Sequence, residues 1–260
     1  MDHLLLLFGA GLMAGGMNAL AGGGSFVSLP ALIASGVPSV PANASSTVAL
    51  LPGGAAGAWT YRAGLSSKSG QSLGVGPASL RALIITTLAG GLAGALLLLW
   101  TPTTTFDVLL PWLLLLATLA LTFGRAVGEW LRRRWRIGPA AMLCVQFGLG
   151  VYGGYFGGAV GIMMLAVWGL LDSRDLKSLN APRTLLVTAA NAAAVVIFIA
   201  ARAVYWRETL LMLAGATLGG FGGAQLGRRL PVRVIRAGTL LITGCITVAF
   251  FVRAYGKPMP

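Results

Sequence analysis

The sequence predicts an all-α integral membrane protein whose apolar helices are long enough to cross a bilayer. Hydrophobic residues make up 57% of the 260 residues and charged residues only 10%, whereas a soluble domain carries about 25% charged residues. Several continuous apolar runs approach the ~20 residues that a helix needs to span a bilayer. Continuous runs exclude a transmembrane β-barrel, because barrel strands alternate lipid-facing and lumen-facing residues.

The first apolar segment, residues 4–36, reads as a helical hairpin and not as a signal peptide, since no basic residue precedes it. Gly22, Gly23 and Gly24 divide it, and a short helix is expected to start at Ser25. Three full spans follow, at 42–61, 79–100 and 106–124. A basic linker, 125–138, comes next in the chain. Residues 139–172 then form a second divided hairpin, broken at Gly157, Gly158 and Gly161, and three more spans end at 252.

These two halves resemble each other. Phe8-Gly9-Ala10-Gly11 corresponds to Phe147-Gly148-Leu149-Gly150, and Asn43-Ala44-Ser45-Ser46-Thr47 corresponds to Asn180-Ala181-Pro182-Arg183-Thr184. We therefore predict two homologous repeats, 4–124 and 139–252, on either side of the linker.

Charge sets the expected orientation. The chain has 19 Lys and Arg against 6 Asp and Glu, and on a soluble protein that excess would suggest nucleic acid. Here the basic residues lie between apolar runs, as in cytoplasmic loops that follow the positive-inside rule. Placing 125–136 inside leaves 15 basic residues inside and 4 outside. Span 42–61 then runs inward and its counterpart 178–201 runs outward, so the repeats are inverted. The expected partner is the lipid bilayer, not nucleic acid.

Inverted repeats with glycine-broken helices at matching positions are typical of secondary transporters, whose sites lie where the broken ends meet. Helix N-termini favour anions. All six acidic residues lie at or beyond the ends of apolar runs, so a cation would lack its usual partner. A small anionic substrate is therefore predicted.

Polar residues near the breaks are the candidate ligands. Asn43 and Asn180 offer amide donors, and the alternative for each is an interhelical hydrogen bond. Arg183 either binds the oxyanion or reaches the cytoplasmic surface. The hydroxyls either bind substrate or bond to their own helix; they belong to Ser45, Ser46, Thr47 and Thr184. The glycines at the breaks either admit substrate or allow close helix packing. The complete predicted set is Gly22, Gly23, Gly24, Ser25, Asn43, Ser45, Ser46, Thr47, Gly157, Gly158, Gly161, Asn180, Arg183 and Thr184.

Other polar residues within spans, namely Asn18, Gln146, Asn191 and Gln225, are predicted only to link helices. No catalytic group, metal site or cofactor is expected. The single histidine is His3, and Cys144 and Cys245 lie far apart. An enzyme is therefore excluded on this reading. An anion channel, an importer of carboxylates or sulfonates, and a structural subunit remain as alternatives, and the oligomeric state stays open.

The motif Gly22-Gly23-Gly24-Ser25-Phe26-Val27-Ser28-Leu29-Pro30-Ala31-Leu32 is followed by Ala42-Asn43-Ala44-Ser45-Ser46-Thr47 and Tyr61-Arg62. Together these segments resemble the first repeat of the TauE/SafE family of sulfite exporters, also called the TSUP membrane proteins. Residues 157–184 and 219–229 resemble the second repeat. The resemblance implies a multi-pass protein of the bacterial inner membrane that exports sulfite, sulfonates or other organosulfur anions.

Overall fold

A computed structural model of the chain describes residues 2–61, 75, 78–132, 138–158, 160–171, 179–229 and 231–255. Within these residues the chain forms ten α-helices, which confirms the predicted all-α class. In chain order they are α1 (Asp2–Ala21), α2 (Ser25–Ala34), α3 (Ser39–Tyr61), α4 (Leu80–Trp100), α5 (Thr103–Arg132), α6 (Pro139–Phe156), α7 (Val160–Leu171), α8 (Asn180–Ala200), α9 (Trp206–Arg229) and α10 (Val232–Tyr255).

Five of the described helices are long and apolar enough to cross a membrane. The apolar stretches lie in α1, α4, α5, α8 and α10: His3–Leu20, Leu80–Trp100, Thr103–Phe123, Ala181–Ala200 and Val234–Tyr255. Helix α3 is less apolar because Ser, Asn, Thr, Gly and Pro interrupt its apolar residues. Its residues 42–50 are all buried inside the protein. A buried helix with polar side chains is the kind that lines a site within a membrane protein.

Glycines separate the short helices from the long ones that precede them. Gly22 and Gly157 have φ angles of 78° and 73°, in the left-handed region that residues with a side chain rarely adopt. A glycine in this conformation commonly follows the last residue of a helix. Helix α2 begins at Ser25, as predicted, and α7 begins at Val160. The prediction that Gly161 also lies in the break between α6 and α7 is wrong, because Gly161 lies in the first turn of α7.

The basic linker begins as helix. Helix α5 continues through Arg132, so residues 125–132 of the predicted linker extend the preceding span. Residues 133–137 lie outside the described part of the chain.

Helix lengths follow the same order from α1 to α5 and from α6 to α10. Each series has a long helix, a helix of 10 or 12 residues, and three helices of at least 21 residues. The first helix of each series packs along the fourth helix of the other, α1 against α9 and α6 against α4. Glycines at these contacts bring the backbones together: a Cβ added at Gly15 would overlap the carbonyl oxygen of Ala216, and one at Gly154 that of Gly91.

A buried hydrogen-bond network fixes α7 against α4 and α6. The Gln146 amide nitrogen donates to the Thr87 hydroxyl at 2.8 Å, and its amide oxygen accepts from the Trp168 indole at 3.0 Å. All three residues are fully buried. The interhelical role predicted for Gln146 is thereby confirmed.

We expect Gln146→Leu to lower the free energy of unfolding by about 1–3 kcal/mol, because the buried Trp168 N–H loses its acceptor. The measurement is the melting temperature of the detergent-purified protein. In the double variant Gln146→Leu/Trp168→Phe both partners become apolar, and part of the loss should return. An equal or larger loss in the double variant would show that packing, and not the hydrogen bond, determines the effect.

Candidate functional site

The amide of Asn43 is a deeply buried polar group of the predicted site. Asn43 lies in the second turn of α3 and is 1% exposed. Its Nδ2 donates to the carbonyl oxygen of Tyr155 at 2.8 Å, in the last turn of α6, where carbonyl groups lack partners within the helix. One amide N–H thus forms the interhelical bond of the alternative interpretation. Its Oδ1 is buried and has no hydrogen-bond partner among the described residues.

Thr47 and Gly157 lie beside Asn43. The Thr47 hydroxyl donates to the Asn43 carbonyl one turn earlier, at 2.9 Å. A Cβ added at Gly157 would stand 3.2 Å from that hydroxyl oxygen, so the break between α6 and α7 passes directly over α3. We call Asn43, Thr47 and Gly157 the central site. The break lies between two helix ends: the C-terminus of α6, with its partial negative charge at Gly157, and the N-terminus of α7, with its partial positive charge three residues later.

The first glycine break is closed by protein contacts. The Ser28 hydroxyl lies 2.6 Å from the Ser46 hydroxyl and also donates to the Gly24 carbonyl at 3.2 Å. A Cβ at Gly24 would stand 2.6 Å from the carbonyl oxygen of Ala14. Ser25 is buried as the first residue of α2. This group joins α1, α2 and α3, and it faces a different side of α3 from the central site.

The remaining predicted residues of the first half have separate environments. The Ser45 hydroxyl accepts from the Tyr205 amide at 3.0 Å and so caps the chain entering α9. A Cβ added at Gly22 would have no neighbour within 4 Å, whereas one at Gly23 would stand 3.1 Å from the Met17 methyl group. In the second half, a Cβ at Gly158 would stand 2.5 Å from the Phe156 ring.

A second polar group lies along α8. A Cβ at Gly161 of α7 would stand 3.5 Å from Cδ of Arg183, and one at Gly57 of α3 would stand 3.3 Å from the methyl group of Thr184. Gly57 lies toward the far end of α3, about 14 residues or ~21 Å along the helix from Asn43. The residues of α8 beside it are therefore distant from the central site. Asn180 is the first residue of α8, and its side chain lies outside the described part of the structure. The predicted site residues therefore do not form one cluster.

Several polar residues near these groups did not enter the predicted set. Ser28 closes the first break. The buried side-chain oxygens of Ser39, Thr188 and Asn191 have no hydrogen-bond partner among the described residues. A sequence signal existed for Ser39. Ser39, Asn43 and Thr47 recur every four residues, which places them on one helix face.

Neither α3 nor α8 contains an acidic residue. Among the described residues no group of three or more His, Cys, Asp and Glu side chains could hold a metal ion. Both cysteines are free and exposed. The chemistry available at the central site is therefore hydrogen bonding by the Asn43 amide and by the Thr47 hydroxyl oxygen as an acceptor, together with the fields of the two helix ends.

The model of the family described as "Sulfite exporter TauE/SafE" matches residues 7–250. The "Probable membrane transporter protein YfcA" of Escherichia coli (strain K12) is 28% identical over 255 residues, which cover 97% of this chain and 91% of that protein. A "Probable membrane transporter protein" of Haemophilus influenzae is 28% identical over 251 residues, 96% of this chain and 92% of the relative. The "Probable membrane transporter protein ORF9" of a Sinorhizobium species is 29% identical over 231 residues, 87% and 83% of the two chains. No solved structure matches the chain significantly.

Proposed function

The chain belongs to the sulfite exporter TauE/SafE family of membrane transporters, and we propose that it exports a small sulfur oxyanion across the bacterial inner membrane through the central site. The observation that carries this proposal is the position of Asn43. Its amide is buried between α3 and the break that precedes α7, with an oxygen that no described residue satisfies. A buried polar atom without a partner calls for an explanation, and a bound substrate supplies one.

The site's chemistry favours an oxyanion. One amide N–H of Asn43 bonds to Tyr155, which leaves the second N–H as a donor. The Thr47 hydroxyl lies beside it as an acceptor, because its proton goes to the Asn43 carbonyl, and the start of α7 contributes a positive field. A helix N-terminus binds anions without a formal charge on the protein. Because no carboxylate lies on α3 or α8, nothing on these two helices opposes an anion electrostatically.

The unsatisfied Oδ1 of Asn43 refines the substrate class. An amide oxygen only accepts hydrogen bonds, so it requires an O–H or N–H group on its ligand. We infer that the substrate is an oxyanion that still carries a proton, or one that keeps a water molecule at this position. Hydrogen sulfite is an ion of this kind, and the family's description names sulfite.

The two-repeat organisation, 4–124 and 139–252, is part of the same proposal. It is supported by the repeated order of helix lengths and by the reciprocal packing of α1 on α9 and of α6 on α4. In inverted-repeat transporters the substrate site lies between the repeats and access alternates by rocking of one bundle against another. The central site fits this plan because Asn43 and Thr47 belong to one half and Gly157 to the other.

We place the basic loops in the cytoplasm. Exposed aromatic side chains support a membrane interface at the opposite end, near the junctions of α4 with α5 and of α8 with α9 and the end of α10: Trp100, Trp112, Tyr205, Trp206 and Tyr255. The Trp112 indole donates to the Tyr255 hydroxyl at 2.9 Å. Trp and Tyr are enriched at membrane interfaces, and the positive-inside rule then assigns this end to the outside.

We expect sulfite to raise the melting temperature of the detergent-purified protein, and Asn43→Ala to abolish that rise. A ligand at 100 times its Kd stabilises the folded state by about 2.7 kcal/mol, or about 5–10 °C for a chain of this size. Thiosulfate, sulfate, sulfoacetate and carboxylates complete the panel. Thr47→Val is the second variant. It removes an acceptor oxygen beside Asn43, since the Thr47 proton goes to the Asn43 carbonyl, and it should weaken the rise produced by a proton-bearing anion with little effect on the unliganded protein.

Ser45→Ala is the matched control, because it also removes a hydrogen bond between an α3 side chain and a distant segment, here the Tyr205 backbone N–H, but lies outside the central site. It should lower the melting temperature and keep the sulfite-induced rise. A rise that persists in Asn43→Ala, or the absence of any rise with the whole panel in the wild type, would contradict the proposed site.

A further inference from the structure

Four buried side-chain polar atoms have no hydrogen-bond partner within the described residues, and all four lie on α3 or α8. They are Ser39 Oγ and Asn43 Oδ1 on α3, and Thr188 Oγ1 and Asn191 Oδ1 on α8. Leaving a buried polar group unsatisfied costs about 1–3 kcal/mol. Their restriction to two neighbouring helices indicates a common cause rather than four separate imperfections.

Thr188 shows how unusual this arrangement is. A threonine inside a membrane helix normally bonds to the carbonyl four residues earlier, and other threonines of this protein do so: Thr47, Thr87, Thr101, Thr118, Thr122, Thr209, Thr217, Thr239 and Thr247. The buried Thr188 hydroxyl lacks that bond. Its proton is therefore available to a ligand.

Thr188 lies in the seam where α3 and α8 meet, and the other three atoms lie further along the same two helices. Helices α3 and α8 are in contact, with Gly57 beside Thr184 and Gly54 beside Thr188. The residue numbers in these contacts increase along α8 as they decrease along α3, so the two helices run antiparallel. Continuing the same register brings Asn191 toward the central site. From Ser39 to Gly57 the seam measures about 27 Å, close to the ~30 Å hydrocarbon thickness of a bilayer.

Glycine brings α3 close to α8 along this seam. A Cβ at Gly54 would stand only 3.3 Å from the Thr188 hydroxyl oxygen, so a larger residue at this position would crowd that hydroxyl. Opposite them, Thr184, Thr188 and Asn191 follow one another at intervals of four and three residues, which places them on one face of α8. Glycines of α3 therefore pack closely against a row of neutral polar residues on α8.

We propose that the α3–α8 seam is the path of the substrate, and that Thr188 and Asn191 form a second contact point between the central site and the basic end of the protein. This inference rests on the proposed function. Arg183 stands near the basic end of the path and attracts the anion from the cytoplasm. Neutral donors then pass it to Asn43 without holding it, as transport requires sites that bind strongly enough to admit an ion and weakly enough to release it.

The test is sulfite flux in proteoliposomes containing Thr188→Val or Asn191→Leu. Each variant removes an unpartnered polar group, so the melting temperature should stay the same or rise. Flux should fall about tenfold, the effect of losing one hydrogen bond along the path. The sulfite-induced rise in melting temperature should persist, because the central site is intact.

Thr217→Val is the matched control, since the Thr217 hydroxyl bonds to its own helix at 2.8 Å and lies on α9. It should keep wild-type flux. Flux within twofold of wild type in both α8 variants would overturn the path, as would a fall in flux matched by a fall in melting temperature. If wild-type protein carries no sulfite while the controls are folded, the proposed function itself fails. If the wild-type protein carries sulfite and Asn43→Ala does not, the proposed function holds, and the α8 variants then test the path alone.

Discussion

Gly15→Ala is expected to lower the apparent melting temperature by about 6–12 °C. Gly15 lies where α1 crosses α9, and a Cβ there would overlap the backbone carbonyl of Ala216, with the Ala216 Cα only 2.7 Å away. Both neighbours are backbone atoms, so no side chain can rotate aside and the helices must separate. Overpacking of this kind costs up to about 3 kcal/mol, and each kcal/mol shifts the melting temperature of a chain this size by about 2–4 °C.

Gly9→Ala is the matched control on the same helix. No atom lies within 4 Å of the Cβ that it would add, and alanine favours a helix over glycine by about 1 kcal/mol. The melting temperature should therefore hold or rise. Helix α6 offers an independent pair, with Gly154→Ala expected to destabilise and Gly148→Ala expected to be tolerated. Equal effects of Gly9→Ala and Gly15→Ala would show that helix propensity, and not close packing, governs these positions.

These glycine contacts constrain any transport motion. Helices α1 and α9 meet backbone to backbone, and so do α4 and α6, which leaves little room for sliding within either pair. Each pair joins the first helix of one half to the fourth helix of the other. We therefore expect each pair to move as a rigid unit, with access to the central site changing where α3 and α8 meet the short helices α2 and α7.

The helix breaks could be predicted from the sequence because they depend on the local backbone conformation of single residues. Glycine is the residue that adopts a left-handed conformation without strain, and Gly22 and Gly157 do so. The start of α2 at Ser25 follows from the run of three glycines before it. Gly161 shows the limit of this reasoning, because nothing local distinguishes a glycine that ends a helix from one that lies in its first turn.

The roles of the polar residues could not be predicted from the local sequence, because their hydrogen-bond partners come from distant parts of the chain. Asn43 bonds to Tyr155, 112 residues later, and Ser45 to Tyr205, 160 residues later. The sequence alone left a binding role and an interhelical bond open for Asn43, and the structure has one N–H in such a bond and an oxygen without a partner. The unpaired hydroxyl of Thr188 has no sequence signature, since Thr118 and Thr122 of α5 have the same four-residue spacing as Thr184 and Thr188 and bond to their own helix.

Membrane potential should drive export of a monovalent anion without any coupled ion. One negative charge that leaves an inside-negative compartment gains about 2.3 kcal/mol at ~100 mV, which corresponds to about a fiftyfold ratio of anion concentrations at equilibrium. The measurement is sulfite distribution across proteoliposomes held at a potassium diffusion potential, with and without a proton or sodium gradient. Reversing the sign of the potential should reverse the direction of net movement.

The residues available make uncoupled movement the expected mode. A proton-coupled carrier uses buried Asp, Glu or His side chains as relays, and neither α3 nor α8 contains one. The only histidine of the sequence, His3, lies in the first turn of α1. Loss of the gradient when the potential is set to zero would support this mechanism. Accumulation at zero potential that requires a proton or sodium gradient would contradict it, and would direct the search for a coupling site to the acidic residues at the helix ends.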